Sequence, residues 1–208
     1  MTEIEAPPRA KPSSLPMMLT LGRIAAAPLI AALILWAATF VHVDHVVAGA
    51  LYALACGLFI IAAASDWLDG YLARKLNSVT PLGAALDHCA DKVLVACALA
   101  ALAYAAFPID LAAAAVLIIG REFAMAGLRE GFSASGRSMP VSQLGKWKAA
   151  AEMAGVSVYL GFQAAALMTS AARVIIALDW SAHILIWAAA VLALVSAAHY
   201  AWGARRTN

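Results

Sequence analysis

Six predominantly apolar runs, centred near Leu29, Leu58, Val95, Ile118, Val158 and Val191, divide this chain of 208 residues. Crossing a ~30 Å hydrocarbon core takes about 20 consecutive apolar residues in a helix, since lipid offers no water to satisfy an exposed backbone. Each run has about that length, so the sequence predicts an all-α integral membrane protein with six transmembrane helices. The first run extends from about Leu19 to Val41 and ends at "HVDH". The second starts near Val46 and stays apolar until Asp66. The third follows "NSVTPLG" and closes at "FPID", where Pro108 and Asp110 signal a turn. The fourth passes through "LAAAAVLIIGREFAMAGL", a polar stretch from Arg129 to Lys148 links it to the fifth, and the sixth is expected over about Ala182 to Trp202.

The composition agrees with this reading. Hydrophobic residues make up 64% of the chain and charged residues 12%, with a mean hydropathy of +0.85. A soluble domain of this size needs far more polar surface. A net charge of +2 is too small to draw the chain to nucleic acid, so no nucleic-acid partner is expected. Cys56, Cys89 and Cys97 lie in apolar runs without zinc-site spacing and read as small packing residues. Pro7, Pro8, Pro12 and Pro16 break the opening segment, which is too polar for a signal peptide. The expected organisation is a flexible or interfacial segment over 1–16, a six-helix membrane domain over 17–203 and a basic tail over 204–208.

Lysines and arginines set the orientation, because positive loops stay on the cytoplasmic side. Arg9, Lys11 and Arg23 precede or begin the first helix, and Arg74 and Lys75 follow the second. Arg129, Arg137, Lys146 and Lys148 flank the link between the fourth and fifth, and Arg205 and Arg206 close the chain. With alternating helices these belong to one face, while the other has only Arg173. Both termini are therefore expected in the cytoplasm.

Against this apolar background, "SDWLDGYLARKLNSVTPLGAALDHCADK" (Ser65 to Lys92) holds four aspartates at the cytoplasmic boundary. Asp66 and Asp69 are three apart and share a helix face, while Asp87 and Asp91 are four apart and share a face of the next helix. A turn between the helices lets the pairs converge. Four such anions repel unless cations neutralise them. Oxygen ligands favour a hard ion such as Mg²⁺ or Mn²⁺, and four carboxylates can hold two such ions ~4 Å apart, as suits phosphoryl transfer. Gly70 and Ala73 leave room for a bulky ligand, Arg74 offers a fork for phosphate oxygens, and Gly83 permits close packing of the two helices. The simpler alternative has Asp66 and Asp69 capping a helix end while Asp87 and Asp91 pair with Arg74 and Lys92.

The eight residues Asp66, Asp69, Gly70, Ala73, Arg74, Gly83, Asp87 and Asp91, spread over 26 positions, resemble the motif of the CDP-alcohol phosphotransferases. That resemblance implies a six-helix membrane enzyme, usually a homodimer, with divalent metals at a polar cavity facing the cytoplasm. It implies that Asp66, Asp69 and Asp87 bind two metal ions and that Asp91 is both ligand and general base. It further implies that Gly70, Arg74 and Thr80, with Ala73 beside them, form the binding site for a CDP-linked lipid. The reaction it implies is attack of a substrate hydroxyl on the β-phosphorus of the donor, releasing CMP.

The acceptor has to be read elsewhere. "GREFAMAGLREGFSASGRSMPVSQLGKWKAAAEMAG" (Gly120 to Gly155) is similar to the matching region of bacterial phosphatidylglycerophosphate synthases, as are "LPMMLTLGRIAAAPLI" and "LDHCADKVLVA". Arg121 lies in an apolar helix, where a lone charge is costly and needs an anionic partner. Arg129, Lys146 and Lys148 can join it in a basic pocket beside the acids. The resemblance then implies CDP-diacylglycerol as donor, glycerol 3-phosphate as acceptor, and a bacterial inner membrane as the setting. Inositol phosphate, serine or a second lipid are the alternative acceptors within the superfamily. A cation transporter is the alternative from another class, though it gives no role to Gly70, Ala73 and Arg74. The plainer reading of Arg129, Lys146 and Lys148 is loop charge facing anionic head groups.

Two positions depart from the resemblance. Met17 stands where an asparagine is usual, and His88 where a proline usually follows the third aspartate. His42 and His45 flank Asp44 in what reads as a solvated turn. Trp36, Trp180, Trp187 and Trp202 fall near run ends, as in interfacial belts.

Overall fold

A computed structural model describes residues 15–75, 81–134 and 143–205. These form six helices: α1 (Leu15–Phe40), α2 (His45–Lys75), α3 (Pro81–Ala105), α4 (Ile109–Ala134), α5 (Gln143–Met168) and α6 (Ala172–Arg205). All six contain a stretch long and apolar enough to cross a membrane, from Met17–Phe40 in α1 to Ala172–Ala198 in α6. The chain is therefore a multi-pass membrane protein, and no strand occurs among the described residues.

Successive helices run antiparallel, and the described links, 41–44, 106–108 and 169–171, are three or four residues long. At one such link the Asp44 carboxylate accepts hydrogen bonds from the backbone N–H of Val46 (3.0 Å) and Val47 (3.1 Å). Asp44 is thus an N-cap for α2, which accounts for the polar "HVDH" turn.

The bundle centres on α1, which packs against α2 and α3, and on α5, which packs against α2 and α6. Helix α4 closes it against α6 and α3. Ile30, Ile34, Phe59, Leu94, Leu99, Leu102, Leu160 and Ile186 are fully buried, and alanines fill much of the rest. In a bilayer, lipid tails are as apolar as leucine, so small residues that admit a neighbouring backbone drive helix packing. Gly155 is the tightest such contact between α5 and α6: a Cβ there would lie 2.9 Å from Ile186 Cγ1 and 3.2 Å from the Ile186 backbone nitrogen. Trp36, Ile61, Val116 and Ile184 point outward, as expected where hydrocarbon is the solvent.

Several helices extend beyond the runs read from the sequence. Helix α6 begins at Ala172, well before Ala182. Its extra turns carry Asp179, which lies 3.2 Å from His183 one turn on, and His183 also faces Asp110 of α4 at 3.7 Å. Pairing within and between helices removes the polar character that looked like a loop. The polar link also shortens, since α4 runs on to Ala134 and α5 starts at Gln143. Leucine, arginine, glutamate and lysine are good helix formers, so a polar composition there does not end the helix.

Candidate functional site

The C-terminal halves of α2, α4 and α6 and the N-terminal halves of α1, α3 and α5 meet at one end of the bundle, where Arg23, Asp87, Asp91, Arg121, Glu122 and Lys148 gather among the described residues. Asp66, Asp69, Gly70, Ala73 and Arg74 belong to the last part of α2, whose backbone is helical through Lys75. Their side chains, and all of Thr80, fall outside the described residues. Asp87 and Asp91 stand one turn apart on α3, each partly exposed.

Arg23 joins these two carboxylates. One guanidinium nitrogen, Nη1, donates to Asp87 Oδ1 at 3.1 Å and to Asp91 Oδ1 at 2.8 Å, while Nε donates to the Ala62 carbonyl of α2 at 3.2 Å. The Arg23 side chain has no solvent exposure. An arginine so buried is tolerable only when anions and acceptors satisfy it. Arg23 is thus no loop cation marking the membrane boundary, as its position near the start of α1 suggested. It is a structural cation inside the bundle, tying α1 to α2 and α3. Asp87 and Asp91 thus share Arg23 as a partner; the expected convergence with the Asp66–Asp69 pair of α2 lies outside the described residues. Among the described residues no group of three metal-ligating side chains forms. The pair nevertheless suits a hard cation in chemistry: two carboxylates offer oxygen to one point, and a cationic group already occupies it.

A cavity of about 220 Å³ opens beside Asp91, between α3, α4 and α5. Lys92, Arg121, Arg129, Lys146 and Lys148 line it, with Asp91, Glu122 and Glu152 as its acids. The surplus is two positive charges, enough to attract a dianion. Arg121 is held from three sides: Nη1 donates to Glu122 Oε1 at 2.6 Å, Nε to the Ala193 carbonyl at 3.2 Å and Nη2 to Ser196 Oγ at 2.5 Å. Glu122 also pairs with Lys148, and its second oxygen is 3.6 Å from Lys92 Nζ. Lys148 lies 3.1 Å from Glu152 Oε1, close enough for ion pairing, though that oxygen has no hydrogen bond. Lys148 is buried, while Lys146, two residues before it, is exposed. Lys148 is therefore not a loop charge reaching for head groups; it is sandwiched between two glutamates inside the bundle.

The structure brings Arg121, Arg129, Lys146 and Lys148 to one cavity and sets Asp91 on its wall. Sequence reasoning missed Arg23 as the partner of Asp87 and Asp91, and Glu122 as the shared partner of Arg121 and Lys148. It read Glu152 as a local ion-pair partner, as its contact with Lys148 bears out, but did not place Lys92 or Glu152 at the cavity or Ser196 beside Arg121. One signal was available for Arg23, Glu122 and Glu152: each is a charge inside an apolar run, which has to find a partner across helices. Ser196 had none, because a serine in an apolar helix looks like any other small packing residue.

Comparison with known proteins gives a consistent result. The sequence profile of the CDP-alcohol phosphatidyltransferase family matches residues 13–195. A Rickettsia bellii CDP-diacylglycerol–glycerol-3-phosphate 3-phosphatidyltransferase is 36% identical over 187 residues, covering 90% of this chain and 93% of the relative. The Bacillus subtilis protein of the same name is 41% identical over 157 residues, covering 71% of this chain and 76% of the relative. A rice cardiolipin synthase (CMP-forming) is 36% identical over 204 residues; the match takes in 89% of this chain but 58% of the rice protein.

Proposed function

This chain belongs to the CDP-alcohol phosphatidyltransferase family, and from that premise we propose that it transfers the phosphatidyl group of CDP-diacylglycerol to glycerol 3-phosphate, giving phosphatidylglycerol phosphate and CMP. The observation that carries the acceptor assignment is the cavity itself. It combines a carboxylate, Asp91, with a surplus of cations drawn from α3, α4 and α5. A phosphate monoester bearing a free hydroxyl needs both: cations for the phosphate and a base near the hydroxyl.

In this reading Arg121, Arg129, Lys146 and Lys148 hold the acceptor phosphate. Its hydroxyl then faces Asp91, which takes the proton as the oxygen attacks the β-phosphorus. The new P–O bond forms as the bond to the bridging oxygen breaks, and CMP departs. Gly70, Ala73, Arg74 and Thr80 hold the CDP portion, with the two small residues leaving the backbone accessible. Two divalent cations, Mg²⁺ or Mn²⁺, held by Asp66, Asp69, Asp87 and Asp91, would draw charge from the pyrophosphate and its leaving group. The donor is a lipid, so the protein's embedding in the bilayer gives it direct access. We further read the chain as a homodimer of the bacterial inner membrane, with termini and cavity on the cytoplasmic side. Support for that orientation comes from Arg129 and Lys146 at the cavity's end of α4 and α5, against Arg173 at the opposite end among the described residues. The catalytic unit is residues 17–203.

The rice relative favours a second reading, in which a lipid replaces glycerol 3-phosphate as acceptor. A panel separates the two. Purified protein with CDP-diacylglycerol and Mg²⁺ or Mn²⁺ is offered glycerol 3-phosphate, inositol phosphate, serine or phosphatidylglycerol, and CMP release is followed. Release with glycerol 3-phosphate alone is expected; release with another acceptor and none with glycerol 3-phosphate would sink the assignment.

A further inference from the structure

Arg23 contributes more than packing. It donates through one nitrogen to two carboxylates and is anchored on a third helix through the Ala62 carbonyl. The anchor leaves Arg23 little freedom to swing away, and its side chain has no exposure through which to reach water. Both carboxylates present Oδ1 to the same nitrogen of Arg23. Charge decides what this does. Two aspartates one turn apart on α3 repel each other, and more strongly where the surroundings are partly dehydrated. A fixed cation between them removes that repulsion whether or not any other cation is bound. The same fixed charge opposes any divalent ion that approaches those carboxylates.

We propose that Arg23 is the resident counter-cation of the acidic centre. It holds Asp87 and Asp91 together in the metal-free protein and, by the same charge, limits how tightly divalent ions bind there. Arg23 is a positioning residue: it acts through Asp87 and Asp91 and touches no reacting atom. The proposal rests on the reading of those two aspartates as metal ligands, but not on which alcohol is the acceptor.

The two roles are linked. A change that harms the metal-free state more than the metal-bound state must, by the same difference, strengthen metal binding. Arg23→Gln removes the charge and Arg23→Lys keeps it. Wild type and both variants are purified in detergent, and two quantities are measured. The first is the melting temperature in chelator and in saturating Mn²⁺. The second is the Mn²⁺ dissociation constant, from the free-ion signal in electron paramagnetic resonance. For Arg23→Gln the expected result is a large loss of melting temperature in chelator, a smaller loss in Mn²⁺, and Mn²⁺ binding about tenfold tighter, or about 1.4 kcal/mol. Arg23→Lys is expected to keep most of the wild-type Mn²⁺ affinity. Should Arg23→Gln be recovered folded only when Mn²⁺ is present, that is the same result in stronger form. Equal losses with and without metal, or Mn²⁺ binding unchanged or weaker in Arg23→Gln, would overturn the proposal and leave Arg23 a packing residue. Wild type that binds no Mn²⁺ would instead overturn the metal assignment, and this proposal with it. Neither outcome bears on the acceptor panel.

Discussion

Lys148→Met separates the two things Lys148 is expected to do. Lys148 and Glu152 are one turn apart on α5, both about 95% buried at the side chain, with 3.1 Å between Nζ and Oε1. Lys148 also pairs with Glu122, which keeps Arg121 at 2.6 Å. Removing Lys148 therefore leaves Glu122 neutralised but takes from Glu152 its ion-pair partner at almost no exposure. Breaking one side of such a buried pair costs about 3–5 kcal/mol, whereas replacing both sides with apolar residues of similar volume is close to neutral. Lys148→Met should accordingly lower the unfolding midpoint in detergent strongly, and Lys148→Met with Glu152→Met should recover most of it. Acceptor binding should not follow that recovery. A charge-assisted bond to a phosphate contributes about 1.5–3 kcal/mol, so both variants should show a KM for glycerol 3-phosphate raised by roughly tenfold or more. The KM for CDP-diacylglycerol should hardly change. A double variant as unstable as the single would refute the charge-burial reasoning. A double variant with normal acceptor KM would remove Lys148 from the acceptor site.

The other expectations are simpler to state. Asp91→Asn should cut turnover by at least about 10²-fold, the lower end of what a general base contributes, while CDP-diacylglycerol still binds in a direct assay; turnover near wild type would exclude Asp91 as the base. Gly155→Val should lower the melting temperature, since overpacking of this kind costs about 1–3 kcal/mol and the obstruction includes the Ile186 backbone. Gly161→Val, where nothing lies within 4 Å of a new Cβ, is the matched control, and equal effects at both sites would contradict the close α5–α6 contact.

Much of the architecture was legible because lipid imposes a single strong constraint. A helix must cross about 30 Å of hydrocarbon with its backbone satisfied internally, and that demand writes itself into the sequence as run length. Boundaries were less legible, and α6 shows why. Asp179 and His183 look like loop polarity until pairing between them, and with Asp110 of α4, lets the helix run through them. The same holds at the site. The spacing of Asp87 and Asp91 on one helix face depends only on helical period, so their proximity was readable. Arg23 has nothing in its own neighbourhood that points to residues 64 and 68 positions away.

By itself, then, the sequence determined a six-helix membrane protein, the family motif from Asp66 to Asp91 and the end of the bundle at which charge collects. These depend on local period, run length and residue identity. Only the tertiary structure decided which charge meets which: Arg23 with Asp87 and Asp91, Lys148 between Glu122 and Glu152, Arg121 on Ser196 and the Ala193 carbonyl. A buried charge is costly alone and can be satisfied by any opposite charge or acceptor within reach. Its presence in an apolar run announces that a partner exists, and the packing of the helices selects that partner.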